Sequence, residues 1–494
     1  MAAISIPAPV GGWNASDAID KMPATDAVRL VNWIPRAGWV ESRKGSAQHC
    51  AGLGGPVRTL AAYGGSAVLI AGANGRLWNV TTSTPASLAT GFTDDNWQTA
   101  QHTGRLILTN GANAPQVFDG TTVAAANFTG SPAGFVATTM WGCNTFKGRV
   151  WYWARNQRKA WYATAGAFQG VMAEFDFGPN VAGTLVQMLS ITMDSGTGVD
   201  DFAAFIFSTG EVLLYQGDDP GAAAAWSLVG KFQVGEPLGV RAHARVGSTE
   251  IVLTRDGYVD IMVALRDGRY SEKSAYSAKI IQASKAAAAE FGLVPRSWEC
   301  HLYPAGNLFI VNIPTGLTTS YQHVRETSSG GWCEFAGWHA MTMTVWNNRL
   351  YFGTEDGRVL RADVGTSDEG VRIECYGIPA FNSLRNRAQK KQLTAVNVIS
   401  TALRPSSYAV DGMADFRIVL RSTLPDDPGF VSAAWDVDPW DDSSWAVTDV
   451  PATGAWRNCS AIGYVVTAAV RIRQRAQLVR WYSTQMQYRP AGTL

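Results

Sequence analysis

The sequence predicts an all-β protein, in which a β-propeller-like central domain lies between an extended N-terminal arm and a C-terminal β-sandwich-like domain. Two patterns support this prediction: hairpin turns recur along the chain, and one turn pattern recurs at intervals close to the size of a propeller blade. Composition agrees, since 46% of the 494 residues are apolar and 19 Trp, 19 Phe and 15 Tyr supply core material. The charged fraction of 16% belongs to a folded chain rather than a disordered one.

Seven Asn-Gly or Asp-Gly dipeptides mark the hairpins. Both residues of such a dipeptide tolerate the positive φ angles that a two-residue type I′ turn requires. Short alternating runs flank several of them, as in EIVLTRDGYVDIMV (250–263) and RLYFGTEDGRVLRADV (349–364). Beyond about residue 366 the blade-sized spacing is lost, and the sequence predicts strands such as TAVNVIS (394–400) and FRIVLR (416–421).

A turn glycine, a variable residue and an apolar residue recur seven times. The glycines are Gly75, Gly104, Gly148, Gly210, Gly257, Gly306 and Gly357. A period of about 45–50 residues with four short strands per unit is typical of a propeller, and most of the intervals are close to it. The first interval, which ends at Gly104, is too short for a blade, and the one that ends at Gly210 requires an insertion. The alternative is a β-rich chain whose turns have this spacing by chance.

These patterns divide the chain into an arm (1–56), a propeller (57–365) and a C-terminal β-rich domain (366–494). The segment TSDEG (366–370) looks like a linker, and we expect limited proteolysis to cut there. One segment, SAKIIQASKAAAAEFGL (277–293), is rich in helix formers and predicts a helix inserted in a loop.

Charge and cysteine content exclude several classes of protein. Forty-one Lys+Arg against 40 Asp+Glu give a net charge of +1, so no bulk attraction to nucleic acid or membrane is expected. No apolar run reaches the roughly 18 residues of a membrane helix, and the start lacks the pattern of a secretory signal. The six scattered cysteines indicate buried thiols in a reducing compartment rather than disulfides or a metal site.

The sequence predicts no enzyme, no cofactor and no metal. Motifs of phosphate-binding loops, serine hydrolases and zinc proteases do not occur in it, and its six histidines never pair at i,i+4. The alternative is a propeller that binds carbohydrate or hydrolyses glycans with paired carboxylates. Its candidates are the segment WDVDPWDDSSW (435–445) and the acidic pairs at 94–95, 200–201, 218–219 and 426–427. Such residues are more often turn residues and hairpin aromatics.

Two sets of residues are candidates for assembly. The arm carries apolar side chains that a segment of about 50 residues cannot bury alone, namely Trp13, Trp33, Ile34 and Trp39. We expect the proline-containing arm to remain extended and to dock against the C-terminal domain of its own or a neighbouring subunit. The second set is Arg471, Arg473 and Arg475, which strand alternation places on one face. That face would line a DNA passage, or else be an ordinary solvated face of a sheet.

The segment 11–46 carries the most specific pattern. A Gly-Gly-x-Asn element is followed by a proline-containing stretch, an Asn with aromatic and proline neighbours, and then Gly, Val, Arg and Gly. The matching positions are Gly11, Gly12, Asn14, Pro23, Asn32, Trp33, Pro35, Gly38, Val40, Arg43 and Gly45. This segment resembles the N-terminus of the tail nozzle, or tail tubular protein B, family of short-tailed (podovirus-type) bacteriophages.

The resemblance implies a structural virion protein that forms the distal tube of a short tail, through which the genome is ejected. It implies assembly in the host bacterial cytoplasm as a homohexamer. The implied partners are the adaptor or head-to-tail connector, tail fibres or spikes, and passing genomic DNA contacted without sequence specificity. The resemblance implies no catalytic residue. Because the chain is shorter than the larger nozzles, we expect an extended tip domain to be missing or reduced.

Overall fold

The computed structural model describes residues 2–491 except 66, 180, 195–198, 223, 269, 385, 403–406, 426–449 and 454. The tryptophan-rich segment 435–445 and the acidic pair 426–427 therefore lie outside the described residues. Before the first blade the chain forms β1 (Ala2–Pro7), β2 (Gly12–Trp13), β3 (Asp26–Val31), β4 (Trp33–Arg36), β5 (Trp39–Ser42) and β6 (Ser46–Cys50).

The turns of the central region connect antiparallel strands into seven blades, counted over the described part of the chain. Blade 1 contains β7 (Thr59–Tyr63), β8 (Val68–Ala73), β9 (Arg76–Asn79) and β10 (Ala86–Thr90). Blade 2 contains β11 (Gln98–His102), β12 (Arg105–Thr109), β13 (Gln116–Phe118) and β14 (Val123–Ala125). Blade 3, after a 3-10 turn at Ala137–Thr139, contains β15 (Met140–Phe146), β16 (Arg149–Ala154), β17 (Lys159–Ala163) and β18 (Met172–Asp176).

The remaining blades follow in chain order. Blade 4 contains β19 (Leu185–Asp194), β20 (Val199–Phe207), β21 (Glu211–Gly217) and β22 (Trp226–Gln233). Blade 5 has three strands, β23 (His243–Val246), β24 (Thr249–Thr254) and β25 (Gly257–Asp260). Blade 6 contains β26 (Glu299–Tyr303), β27 (Leu308–Pro314), β28 (Ser320–Glu326) and β29 (Trp332–Phe335), with a 3-10 turn at Pro304–Gly306. Blade 7 begins with β30 (Thr342–Trp346), β31 (Arg349–Gly353) and β32 (Val359–Ala362).

The N-terminal segment closes the ring. β6 pairs antiparallel with β32 as the outermost strand of blade 7, with Ala47 opposite Arg361. Blade 7 is thus built from both ends of the propeller sequence, which fastens the first blade to the last. Successive blades contact one another around the ring, mostly through their inner strands, and β30 returns to β7. The predicted all-β, propeller-like fold is confirmed.

Two helices stand where blade 5 would have its fourth strand. α1 (Ile261–Asp267) has Asp260 as its N-cap, and the Asp260 side chain accepts hydrogen bonds from the amides of Met262 and Val263. A 3-10 turn at Ala278–Ile280 leads into α2 (Ile281–Phe291), which packs against β25 and β27. The helix that the composition of 277–293 predicts is therefore present.

A two-sheet sandwich lies beside the propeller. After blade 7 the chain forms β33 (Ile373–Pro379), β34 (Lys391–Ala402), β35 (Ala409–Ala414), β36 (Val450–Thr453), β37 (Arg457–Gly463), β38 (Val466–Gln474) and β39 (Val479–Pro490). Sheet A has the order β36-β34-β39-β5-β4, with β37 also on β34 and β1 also on β39. Sheet B begins as blade 6 and continues through β2, β3, β33, β38 and β35, so one hydrogen-bonded sheet of nine strands joins the propeller to the sandwich.

The arm is an integral part of this sandwich. Arm strands β2 and β3 lie between blade 6 and β33, while β1, β4 and β5 extend sheet A beside β39. The main core joins the two sheets and blade 6, and Trp33 and Trp481 pack there with ring centroids 5.8 Å apart. The arm therefore docks on the C-terminal region of its own chain.

Two boundaries differ from those that the sequence predicts. The propeller begins at Ser46 rather than at residue 57, because the closing strand β6 precedes the first blade. The segment 366–370 is held in place: the Asp368 carboxylate is paired with the buried Arg43 at 2.6 Å, and the Ser46 amide donates to the Ser367 carbonyl at 3.1 Å. We therefore no longer expect this segment to be a preferred cleavage site.

All six cysteines are among the described residues, and each is a buried free thiol. Within that same part of the chain, no helix combines the length and the apolar character needed to cross a membrane.

Candidate functional site

The central channel of the propeller is the first candidate site. Inner strands of the blades surround a cavity of about 470 Å³. Polar side chains in its wall include Asn144, Arg245, His301 and Thr344. A cavity of this volume has room for a small polar molecule or for ordered water.

Arg241, just before β23 of blade 5, crosses one end of the channel. Its guanidinium donates to Glu299 Oε1 at 2.6 Å and to Gln98 Oε1 at 3.0 Å. It also donates to Thr59 Oγ1 and to the carbonyl oxygen of Arg58, both at 2.9 Å. Thr59, Gln98 and Glu299 are the first residues of the inner strands of blades 1, 2 and 6. This one side chain therefore ties four blades together and closes that end of the channel.

Glu299 is 2% exposed and is held as a carboxylate. Besides Arg241, it accepts hydrogen bonds from Thr342 Oγ1 at 3.1 Å and from the Met343 amide at 3.0 Å. His301 Nε2 lies 3.5 Å from its Oε2. Burial would raise the pKa, but the charge of Arg241, with a smaller contribution from His301, lowers the pKa of Glu299 to about 2. Such a group is a structural anion at neutral pH and is poorly suited to exchange a proton with a substrate.

In three of the four acidic pairs, one carboxylate has a backbone or basic partner in the structure. Asp95 accepts from the Gly75 amide at 3.0 Å and so closes a turn. Asp201 pairs with Lys147 at 2.7 Å, and Asp219 pairs with Arg149 at 3.3 Å. Over the described residues, no cluster of three or more His, Cys, Asp or Glu side chains is arranged to hold a metal ion.

The predicted arginine face lies on β38 of sheet B. Arg471 and Arg473 are partly buried, and they alternate with the buried side chains of Ile472 and Gln474. Arg471 forms an ion pair with Asp411 at 2.9 Å, and Arg473 forms one with Glu374 at 2.7 Å. Arg475, just past the end of β38, is exposed. Strand alternation therefore placed Arg471 and Arg473 on one face, but it did not reveal that neighbouring carboxylates neutralise both.

The predicted assembly residues of the arm are covered by the chain itself. Trp33 is fully buried, Ile34 is 3% exposed and Trp13 is 7% exposed, and all three belong to the main core. Trp39 is partly buried, with the Arg480 guanidinium 5.8 Å from its ring centroid. These side chains build the subunit, and little of their surface is left for a neighbouring copy.

A junction of arm, propeller and C-terminal region forms around Arg43, which is 1% exposed. Its guanidinium donates to Asn32 Oδ1 at 2.8 Å and to the Ala336 carbonyl at 2.8 Å, and it pairs with Asp368. The Trp338 ring lies 4.7 Å from the guanidinium carbon, a cation–π contact. Sequence reasoning noted Arg43 and Asn32 in one pattern but missed Asp368, because nothing local links residues 325 positions apart.

Arg241 and Glu299 were also missed. They lie 58 positions apart in the chain, and only closure of the ring brings them together. A charged side chain at the start of an inner strand was the available signal.

Comparisons with known proteins assign no family and no function to the chain. No protein-family model and no curated protein matches the chain. Among solved structures, the chain is similar to the β-propeller domain of Cps50 (Swd1) from Myceliophteria thermophila, with a TM-score of 0.42 and 12% identity over 66% of this chain and 99% of that one. It is also similar to the extracellular domain of the one-component system BT4673 from B. thetaiotaomicron, with a TM-score of 0.43 and 9% identity over 75% of this chain and 48% of that one. The strand pairing described above establishes the propeller on its own.

Proposed function

We propose that the chain is a structural subunit of a phage virion, the tail nozzle of a short-tailed bacteriophage. In this proposal it works as a homohexamer below the adaptor and surrounds the path of the ejected genome. The proposal begins from the resemblance of residues 11–46 to the nozzle family. The structure supports it through the places that those residues occupy.

The residues that carry the resemblance lie where the parts of the subunit meet. Gly12 has a φ of +84°, and a Cβ there would lie 2.6 Å from the backbone nitrogen of Trp332. A Cβ on Gly45 would lie 1.8 Å from the Ser367 carbonyl oxygen. Asn32 adopts a φ of 57°, and its amide bridges Arg43 and the Glu374 carbonyl. The pattern thus describes a junction between arm, propeller and C-terminal region, as expected for a motif that defines an architecture rather than a ligand site.

The observation that carries the proposal is the nine-stranded sheet B. Because blade 6 continues without interruption through the arm into the C-terminal strands, the propeller is fixed rigidly to a platform made from both ends of the chain. A subunit in a tube must keep its neighbours aligned, and a continuous hydrogen-bonded sheet supports that alignment better than a flexible linker.

In this proposal the genome passes outside the individual propeller. Arg241 spans one end of the channel, so that channel has no room for a DNA duplex. A conduit therefore requires several copies around a common axis, which agrees with the implied hexamer. The neutral net charge and the ion-paired Arg471 and Arg473 suit a wall that lets phosphates pass without strong binding.

Immunogold electron microscopy tests the proposal. Antibodies raised against the purified chain would be applied to intact particles and to isolated tails from the host culture that produces it. We expect gold at the distal end of short tails, and adaptor-containing tails should retain the chain during purification. Particles that carry genome and tails but no label would overturn the proposal.

A second candidate is a propeller that recognises a carbohydrate, and the polar channel cavity of about 470 Å³ favours it. Asn144 and Thr344 in the cavity wall provide hydrogen-bonding groups of the kind that bind sugar hydroxyls. A glycan array tests this candidate. Saturable binding that Asn144→Ala abolishes would favour it over a purely structural role.

A further inference from the structure

We propose that two opposite margins of the sandwich join neighbouring copies of this chain, so that β1 of one copy pairs with residues 416–421 of the next. This inference rests on the proposed ring and names its subunit contact. Among the described residues, each margin offers backbone groups that no strand pairs with and side chains that remain exposed.

The first margin is β1, at the edge of sheet A. It pairs with β39 through Ala2 opposite Tyr488 to Pro7 opposite Ser483, and no described strand pairs with its outer side. Ala3 and Ser5 are exposed, and residues 2–6 contain no charged side chain and no proline. Natural edge strands are usually protected by charges, prolines or bulges, so an unprotected edge of this length is suited to receive another strand.

The second margin is the segment 416–421, FRIVLR, which follows β35. Its sequence predicts a strand, but Phe416 has a φ of +65°, and among the described residues the segment makes one isolated bridge, between Ala414 and Arg417. The Arg421 amide donates to Asp411 Oδ1 at 2.8 Å, and the ring centroid of Phe416 lies 5.2 Å from that of Phe381. Phe416, Ile418 and Leu420 are 37%, 46% and 41% exposed. No described strand pairs with Ile418, Val419 or Leu420, although their segment has strand propensity and exposed apolar side chains.

More apolar surface continues this second margin. Asp415, which directly precedes the segment, accepts a hydrogen bond from the Tyr464 amide at 2.7 Å and so joins it to the end of β37. Nearby, Ile462 is 56% exposed and Tyr464 is 45% exposed. We call Phe416, Ile418, Leu420, Ile462 and Tyr464 the apolar margin.

The two margins lie on opposite sides of the sandwich. β39 is paired with β34 along its length, so β1 occupies its other side together with β5. The far side of β34 is taken by β36 and β37, and β37 packs beside β35. A contact between opposite margins is heterologous, and such contacts close into rings when the rotation between subunits permits.

A second copy of this chain is the occupant that the arrangement favours. The uncharged β1 edge supplies backbone donors and acceptors, and residues 418–420 supply strand-prone backbone that no described strand pairs with. A partner bound to only one margin would leave the other open in every subunit, whereas a ring of copies satisfies both with a single contact.

Cysteine crosslinking of the full chain tests the inference. Ala3→Cys would be combined in turn with Arg417→Cys, Ile418→Cys, Val419→Cys or Leu420→Cys, in purified protein at high concentration and in tails. Disulfides form when Cα atoms are about 4.4–6.8 Å apart, so at least one pair should give a ladder of covalent oligomers. The buried native thiols should give little background.

Single-cysteine variants separate the possible outcomes. A covalent dimer from Ala3→Cys alone would mean that β1 pairs with β1, which overturns the inference. No ladder with any pair, in solution and in tails that carry the chain, would overturn the inference but leave the nozzle proposal standing. If the purified protein gave a ladder but tails did not contain the chain, the result would support the contact and overturn the nozzle proposal.

A matched pair of lysine variants gives an independent readout. Ile418→Lys places a charge in the apolar margin and should reduce crosslinked oligomer about tenfold or more. Leu317→Lys alters a leucine that is 63% exposed outside both margins, and it should leave the ladder unchanged. Equal ladders from the two variants would contradict the inference.

Discussion

The propeller and the sandwich are built from the same kinds of strand but from very different connections. Within a blade, neighbouring strands are separated by short turns, as between Val246 and Thr249 or Trp346 and Arg349. In the sandwich, Val40 lies opposite Trp481, and Leu30 lies opposite Gly377. The propeller therefore depends mainly on local hairpins, and the sandwich depends on pairings across almost the whole chain. Charged residues bridge the long distances in both regions, so their removal should give the largest effects.

The largest effect is expected at the Arg241–Glu299 pair of the propeller. Arg241→Met would leave Glu299 buried and unpaired, and breaking a buried pair in this way costs about 3–5 kcal/mol of unfolding free energy. The double variant Arg241→Met/Glu299→Gln should recover part of that loss, because it removes the stranded charge as well. Urea unfolding followed by tryptophan fluorescence measures both. If the loss of unfolding free energy in the double variant equalled the sum of the losses in Arg241→Met and Glu299→Gln, the two residues would not be coupled.

A slightly smaller effect is expected at the junction. Arg43→Met should cost about 2–4 kcal/mol, because its partner Asp368 keeps 17% of its side chain exposed and can be partly solvated. Hydrogen exchange should show the loss first in the sandwich strands that pair with the arm. Arg76→Met is the matched control, since Arg76 is exposed and its guanidinium lies 5.6 Å from the ring centroid of Trp78. Equal losses for the two variants would contradict the role of the junction.

The positions of the seven turn glycines in the blades explain the uneven spacing found in the sequence. Each blade contains one of the seven glycines, but the glycines do not all lie in the same turn of their blades. Gly75 and Gly210 connect second and third strands, whereas Gly104 and Gly148 connect first and second strands. This alternation explains the short interval from Gly75 to Gly104 and contributes to the long interval from Gly148 to Gly210. Counted from their first strands, the blades follow one another more evenly, beginning at Thr59, Gln98, Met140, Leu185, His243, Glu299 and Thr342.

The features that the sequence did not predict depend on closure of the chain. β6 belongs to blade 7 because it pairs with a strand from the opposite end of the propeller sequence, a pairing to which no local pattern points. The aromatic residues of the arm looked like an exposed interface because their partners, such as Trp481, are distant in sequence. Apolar composition showed that these side chains need burial, but it did not show which surface buries them.

Acid should weaken the two regions at different pH values. His323 in blade 6 lies under Trp13 of the arm, with ring centroids 5.2 Å apart, and its Nδ1 is 2.8 Å from Tyr258 Oη. Burial, with a smaller contribution from the charge of Arg29, lowers the pKa of His323 to about 3 from 6.5. Between those values the unfolded chain binds a proton that the folded chain does not. The contribution of neutral His323 to stability is therefore complete above pH 6.5 and decreases as the pH falls towards 3.

The contribution of Glu299 to stability changes with pH in the same direction, but over a lower pH range. Its pKa is lowered from 4.5 to about 2, so its contribution is complete above pH 4.5 and is lost as the pH falls towards 2. Hydrogen exchange at pH 7, 5.5 and 4 should therefore show the arm and its boundary with blade 6 loosening before the inner strands of the propeller. His323→Leu should flatten the dependence of stability on pH between 6.5 and 4. An unchanged slope in that variant would assign the dependence to other groups.

The smallest effect is expected at Gly104, and a second glycine, Gly45, compares this propeller turn with the junction. Gly104 has a φ of +70°, and no atom lies within 4 Å of an added Cβ. Gly104→Ala should therefore cost only the backbone strain of the left-handed region, about 1 kcal/mol. A Cβ on Gly45 would lie 1.8 Å from the Ser367 carbonyl oxygen, so Gly45→Ala must displace backbone that joins the arm to the C-terminal region. Chemical denaturation should rank Gly45→Ala as clearly the less stable variant. The reverse order would mean that the junction adapts more easily than a two-residue turn, and that long-range pairing constrains the sandwich less than local turns constrain the propeller.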